Sequence, residues 1–96
     1  MYVIAVDLTI YEQHLIAFMP LLLENARSSR ETESACRRFD VCCDPLRPQH
    51  IFLYELYDNR AAFDAHVASA HFKAFDGAVN GMVATKVVHA YELASG

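Results

Sequence analysis

From Tyr2 to Thr9 apolar residues, many of them Val and Ile, alternate around Asp7, the pattern of a strand with two unlike faces. Thr9 followed by Glu12 has the form of a capping box and predicts a helix start there. Leu15, Phe18, Met19, Leu22 and Ala26 then recur at helical spacing. Pro20 falls inside that stripe, removes the hydrogen bond to the Ile16 carbonyl, and predicts a kinked axis. Ser28 to Ser34 is polar and reads as a loop. Arg38 to Asp44 predicts a second strand, with Phe39, Val41 and Cys43 on one face and Arg38, Asp40 and Cys42 on the other. Asp44-Pro45-Leu46-Arg47-Pro48 is turn chemistry, and His50 to Tyr57 a third strand. There Ile51, Leu53, Glu55 and Tyr57 share one face, and Phe52, Tyr54 and Leu56 the other. Asp58 can cap a short helix carrying Phe63, His66 and Val67; Ser69 can cap another carrying Phe72, Phe75 and Val79. Lys86 to Leu93 reads as the last strand.

The order strand, helix, strand, strand, helix pair, strand is the split βαβ arrangement. The expected fold class is therefore α+β, ferredoxin-like, a four-stranded antiparallel sheet in one domain spanning residues 1–96. Helices on one face leave the other face bare. The 96 residues are 54% hydrophobic, with five Tyr and six Phe, more apolar surface than so small a monomer readily hides. A homodimer with two sheets packed face to face, a dimeric α/β barrel, is the expected solution.

Charge narrows the partners. The net charge is −4, no basic run exists, and the pair Arg37–Arg38 is too small a footprint for nucleic acid. The apolar stretches are short and interrupted, so no membrane partner is expected. No signal peptide precedes the first strand pattern. The three cysteines, an odd number with Cys42 and Cys43 adjacent, read as reduced thiols of a cytoplasmic protein, serving as small core residues. There is no CxxC pair and no glycine-rich dinucleotide fingerprint, so neither metal nor organic cofactor is expected.

A family resemblance rests on Asn25-Ala26-Arg27, Glu33, Cys36, Arg38-Phe39-Asp40-Val41, Phe52-Leu53-Tyr54-Glu55-Leu56-Tyr57, Ala61-Ala62-Phe63-Asp64-Ala65-His66 and Ser69-Ala70-His71-Phe72. Taken together these resemble the antibiotic biosynthesis monooxygenase family. That family includes cofactor-free quinol and anthrone monooxygenases and an isomerase of a phosphorylated quorum-sensing sugar. Two departures stand out. Glu33-Ser34-Ala35 replaces a Glu-Pro-Gly often found before the second strand, and the chain has no Trp.

The resemblance directs attention to His66 and His71, five residues apart across the Ser69 break. A neutral imidazole is the natural general base near neutral pH. A zinc site would need a third ligand, for which Glu55 is the nearest guess. Tyr54 and Glu55 alternate across their strand, so only one lines a given pocket. Asp40 either pairs with Arg38 across a sheet face or orients a histidine in a cleft. Asn25, toward the end of the first helix, either lies on the surface or donates its amide to a substrate oxygen. Arg27 either complements the helix C-terminus or receives an anionic substrate. Phe72, with Phe18, Phe63 and Phe75, suits both a core and the wall of a site for a flat aromatic.

The leading expectation is a cofactor-independent monooxygenase of a small electron-rich aromatic such as a quinol. The substrate supplies the electrons, and the protein deprotonates a hydroxyl, holds the anion and admits oxygen. The alternatives are an isomerase of a phosphorylated sugar-like substrate, with Arg27, Arg37 and Arg38 as the anion-binding candidates, and a non-catalytic dimeric ligand-binding module. A haem-degrading role fits poorly, because relatives of that kind place Asn and Trp where this chain has Asp7 and no Trp.

Overall fold

The computed structural model describes residues 1–96. Its elements are β1 (Tyr2–Ile10), a 3-10 turn (Glu12–His14), α1 (Leu15–Thr32), β2 (Cys36–Cys43), β3 (His50–Tyr57), α2 (Arg60–Val67), α3 (Ala70–Ala78) and β4 (Val83–Glu92). The strands form one antiparallel sheet in the order β2-β3-β1-β4. This is the expected ferredoxin-like α+β arrangement.

Alternation along the strands decides which face is covered. Ile4, Val6, Leu8 and Ile10 of β1 point toward α1 and meet Phe18, Leu22 and Ala26, all buried. Ile51, Leu53 and Tyr57 of β3 and Phe39 of β2 join the same core. Burying each such side chain contributes about 1.5–3 kcal/mol, so this one-sided layer is what ties helices to sheet. The opposite face, which presents Phe52, Tyr54 and Leu56, has no helix over it. β4 is an edge strand with residues Ala84 to Glu92 exposed.

Several local expectations give way to the structure. Thr9 caps no helix, because its backbone pairs with His50 and Thr85 in the sheet. The chain turns at Glu12–His14, and α1 starts only at Leu15, without a side-chain cap. The helix then runs through Pro20 to Thr32, absorbing most of the expected Ser28–Ser34 loop. Its polar residues tolerate the helix because Ser29 and Thr32 donate their hydroxyls to the carbonyls of Asn25 and Ser28, one turn back. Arg27, flanked by Glu24 and Glu31 at helical spacing, adds exposed ion pairs. Asn59, not Asp58, caps α2, accepting from the Ala62 amide at 2.9 Å; Asp58 is held instead by Arg37 at 2.6 Å.

β2 and β4 both begin earlier than the pattern suggested, at Cys36 and Val83. The pairing of β2 with β3 is irregular between Cys36 and Arg38. Gly81, at φ +86°, makes the left-handed turn into β4 that side chains resist. Of the three free thiols only Cys36 is a core residue; Cys42 and Cys43 are exposed because edge strand β2 runs beyond the helical layer.

Candidate active site

Between the helices and the sheet lies a cavity of about 750 Å³. Its walls are mostly apolar and include Phe18, Phe39, Phe63, Phe72 and Phe75. Buried polar side chains enter it from three elements, Asn25 from α1, Glu55 from β3 and His66 from α2, while Asp76 of α3 and Lys86 of β4 line its exposed side. An apolar chamber with a few convergent polar groups is the usual form of a small-molecule site.

His66 lies in the last turn of α2, which ends at Val67 shortly before Ser69. The Ser69 hydroxyl donates to the His66 carbonyl at 2.6 Å and accepts from the Phe72 amide at 3.2 Å, closing one helix and opening the next. The imidazole is almost fully buried, with the Phe72 ring edge-on at 5.2 Å and the Tyr57 ring at 5.5 Å. Its Nδ1 lies 2.8 Å from Glu33 Oε2, with Ser29 Oγ further off at 3.4 Å. His71 Nε2 reaches the same Glu33 oxygen, at 2.5 Å. A carboxylate oxygen only accepts, so both imidazoles must carry hydrogen on those nitrogens. His66 is thereby fixed as the tautomer with Nδ1–H, leaving Nε2 as its basic nitrogen. Burial holds the His66 pKa below its ordinary value, against the opposing pull of Glu33. The ring is therefore a neutral acceptor near pH 7.

The two histidines separate here. His66 lines the cavity, whereas His71 stands behind it and shares its carboxylate. The break at Ser69 lets residues on two different helices converge on one acceptor.

Glu55 is the buried carboxyl group in the chamber. Its Oε1 accepts a 2.6 Å hydrogen bond from Tyr57 Oη. Burial nevertheless raises its pKa to about 7, only partly offset by Tyr57 and by Lys86. Burial also pushes the Tyr57 phenol well up, so Tyr57 remains the donor of that pair. Asn25 is 4% exposed, not a surface residue, and its Oδ1 has no hydrogen-bond partner. An orphaned buried acceptor costs about 1–3 kcal/mol, which a ligand hydroxyl could recover.

Other expected site residues lie elsewhere. Tyr54 and Asp40 occupy the bare face of the sheet, where Arg38 bonds Asp40 at 2.6 Å and stacks over the Tyr54 ring. Strand alternation sends Tyr54 away from the cavity that Glu55 enters. Arg27 projects to solvent between Glu24 and Glu31. Glu55 completes no metal cluster with the histidines; Glu33 is the carboxylate beside both. Glu33 was absent from the expected site because it follows α1 in what read as a loop. The only signal was its place in the family-like segment.

The comparisons agree with this architecture. The family model described as antibiotic biosynthesis monooxygenase matches residues 1–78. A structure solved under that family name from Nitrosomonas europaea is 26% identical, aligns over 99% of this chain and 100% of its own, and superposes with a TM-score of 0.94. One from Deinococcus radiodurans is 25% identical over 100% and 95% of the two chains, with a TM-score of 0.90. One from Caulobacter crescentus, at 18% identity over 98% and 90%, shares the fold with a TM-score of 0.92. No curated protein matches by sequence. With more than three quarters of its length matched by the family model, the chain belongs to the antibiotic biosynthesis monooxygenase family.

Proposed function

We propose that this protein is a cofactor-independent monooxygenase of a small electron-rich aromatic such as a quinol, with His66 as general base. The observation that carries the reading is the His66 imidazole, anchored through Nδ1 by Glu33 and bordering an apolar chamber. In the reaction Nε2 takes a proton from a ring hydroxyl. The resulting anion pushes electron density onto a ring carbon, which reduces dioxygen and forms a carbon–oxygen bond. The O–O bond then breaks: one oxygen stays on the ring as a carbonyl and the other leaves as water. Both electron pairs come from the substrate, so a quinol and dioxygen give a hydroxyquinone and water. Asn25 and Glu55 are the polar groups placed to hold the substrate oxygens, and Phe72 its flat ring.

The isomerase alternative gains from Glu55, a second proton-transfer group in the chamber, but loses the three arginines expected to hold its anion. Arg27, Arg37 and Arg38 are each paired with carboxylates outside the cavity. Lys86 is the one lysine or arginine lining the chamber, and a mostly apolar wall with a single ammonium favours an aromatic over a phosphorylated sugar.

The bare sheet face supports a homodimer. Val87 and Tyr91 of β4 lie about half exposed on the face that also presents Phe52, Tyr54 and Leu56. Face-to-face packing of two copies would cover them.

The test is oxygen consumption with a panel of quinols, wild type beside His66→Gln. Turnover that drops by about 10²-fold or more in the variant supports the reading. Wild-type protein inert toward every quinol, or His66→Gln at full rate, overturns it.

A further inference from the structure

The group formed by Glu33, His66 and His71 holds the proton of one imidazole in place. It has a second chemical meaning. The ligand atoms Glu33 Oε2, His66 Nδ1 and His71 Nε2 all lie within 4.8 Å of one another. They come from three separate elements: the segment after α1, the end of α2 and the first turn of α3. Two imidazoles and one carboxylate form a donor set suited to zinc and its first-row neighbours.

We infer that these three side chains form a binding site for one borderline divalent cation, zinc or cobalt. At the carboxylate the geometry needs little change. A cation about 2.1 Å from each ligand in tetrahedral array sets the ligands about 3.4 Å apart. Glu33 Oε2, now 2.8 and 2.5 Å from the two nitrogens, has to withdraw by less than about 1 Å from each. Its flexible side chain allows that. The histidines are already held: His66 by the packing of Phe39, Phe63 and Phe72, and His71 by its place on α3. Glu33 and His71 are part-exposed, at 16% and 22% of their side chains, so solvent can supply the fourth ligand and the cation a route in. Ser29 Oγ, 3.4 Å from His66 Nδ1, borders the site.

The same geometry sets the effect of the cation. Neutral imidazole carries one hydrogen. If Nδ1 binds metal, that hydrogen moves to Nε2, which is then a donor with no free lone pair. Metal binding therefore silences His66 as a base. The cation acts as an inhibitor, a consequence that rests on the proposed function while the site itself does not.

The experiment titrates full-length protein with Co²⁺, read by visible d–d absorption, and repeats it with Zn²⁺ by calorimetry. The expected result is one cobalt per chain with a four-coordinate spectrum lacking thiolate charge transfer, which separates the site from exposed Cys42 and Cys43. His71→Ala and Glu33→Gln, each checked by circular dichroism, should bind about tenfold more weakly or worse, while His89→Ala on β4 binds as wild type. Absence of a saturable complex at micromolar protein, a thiolate spectrum, or His71→Ala binding as tightly as wild type overturns the site. Should a variant misfold, the wild-type spectrum and stoichiometry alone decide it. Saturable binding with undiminished quinol turnover would uphold the site and remove His66 from the role of base.

Discussion

Glu33 Oε2 lies 2.8 Å from His66 Nδ1 although 33 residues separate them, and this contact fixes which imidazole nitrogen carries the hydrogen and which is left basic. Replacing His66 and replacing His71 should therefore have unequal effects. His66→Ala should slow quinol oxidation by about 10²–10⁴-fold, the usual contribution of a general base. His71→Ala, which leaves the Glu33–His66 bond in place, should cost much less. Equal losses in the two variants would show that the histidines act as one unit.

Asn25 offers a trade between stability and binding. Asn25→Leu removes a buried acceptor that has no partner. Thermal unfolding should shift up, by about 4–8 °C for each kcal/mol recovered. Substrate affinity should fall in the same variant, read as a raised KM. A variant that is less stable and binds normally would show that the amide serves the fold instead.

Glu55 makes stability depend on pH in an unusual direction. Its pKa is raised in the folded chain to about 7, from an ordinary 4.5. Between those values the unfolded chain gives up its proton while the folded chain keeps it. The native state binds more protons there, so stability falls as pH rises from about 4.5 to about 7 and then levels off. A gap of roughly 2.5 pH units at about 1.4 kcal/mol each sets an upper bound near 3.5 kcal/mol. Urea unfolding across this range should show the decline, and Glu55→Gln should flatten it.

The layer between α1 and β1 carries much of the stability. Leu22→Ala should cost about 2–5 kcal/mol, since the side chain is fully buried against the sheet. Denaturant midpoints measure this directly.

The bare sheet face should join two copies. Sedimentation should give twice the 10.8 kDa chain mass at micromolar concentration. Phe52→Glu, on that face, should shift the protein toward monomer without unfolding it. A wild-type monomer at that concentration would remove the face-to-face arrangement.

Much of this molecule was legible along the chain, because period-two and helical patterns record which face of each element meets the core. The face of Glu55 and the opposite face of Tyr54 could both be read from alternation in β3. Asn59 was missed as a cap because Asp58 beside it is an equally good capping residue, and only Arg37 across the sheet decides between them. The polar end of α1 was missed because hydroxyls that usually leave a helix can also bond inward to it. Glu33 was the costliest omission. Its partners lie 33 and 38 residues away, and no local spacing encodes a meeting made by three separate elements.

β4 forms one wall of the chamber, through Val83 to Lys86 and Val88, yet no helix packs over it. The chamber consequently has a standing doorway between α3 and the sheet edge. A ligand can pass it without any segment swinging aside, so exchange is set by diffusion and by fit instead of by the slow opening of a lid. Under the proposed activity, such a doorway would trade strict exclusion of water for quick arrival of dissolved gas and quick departure of product.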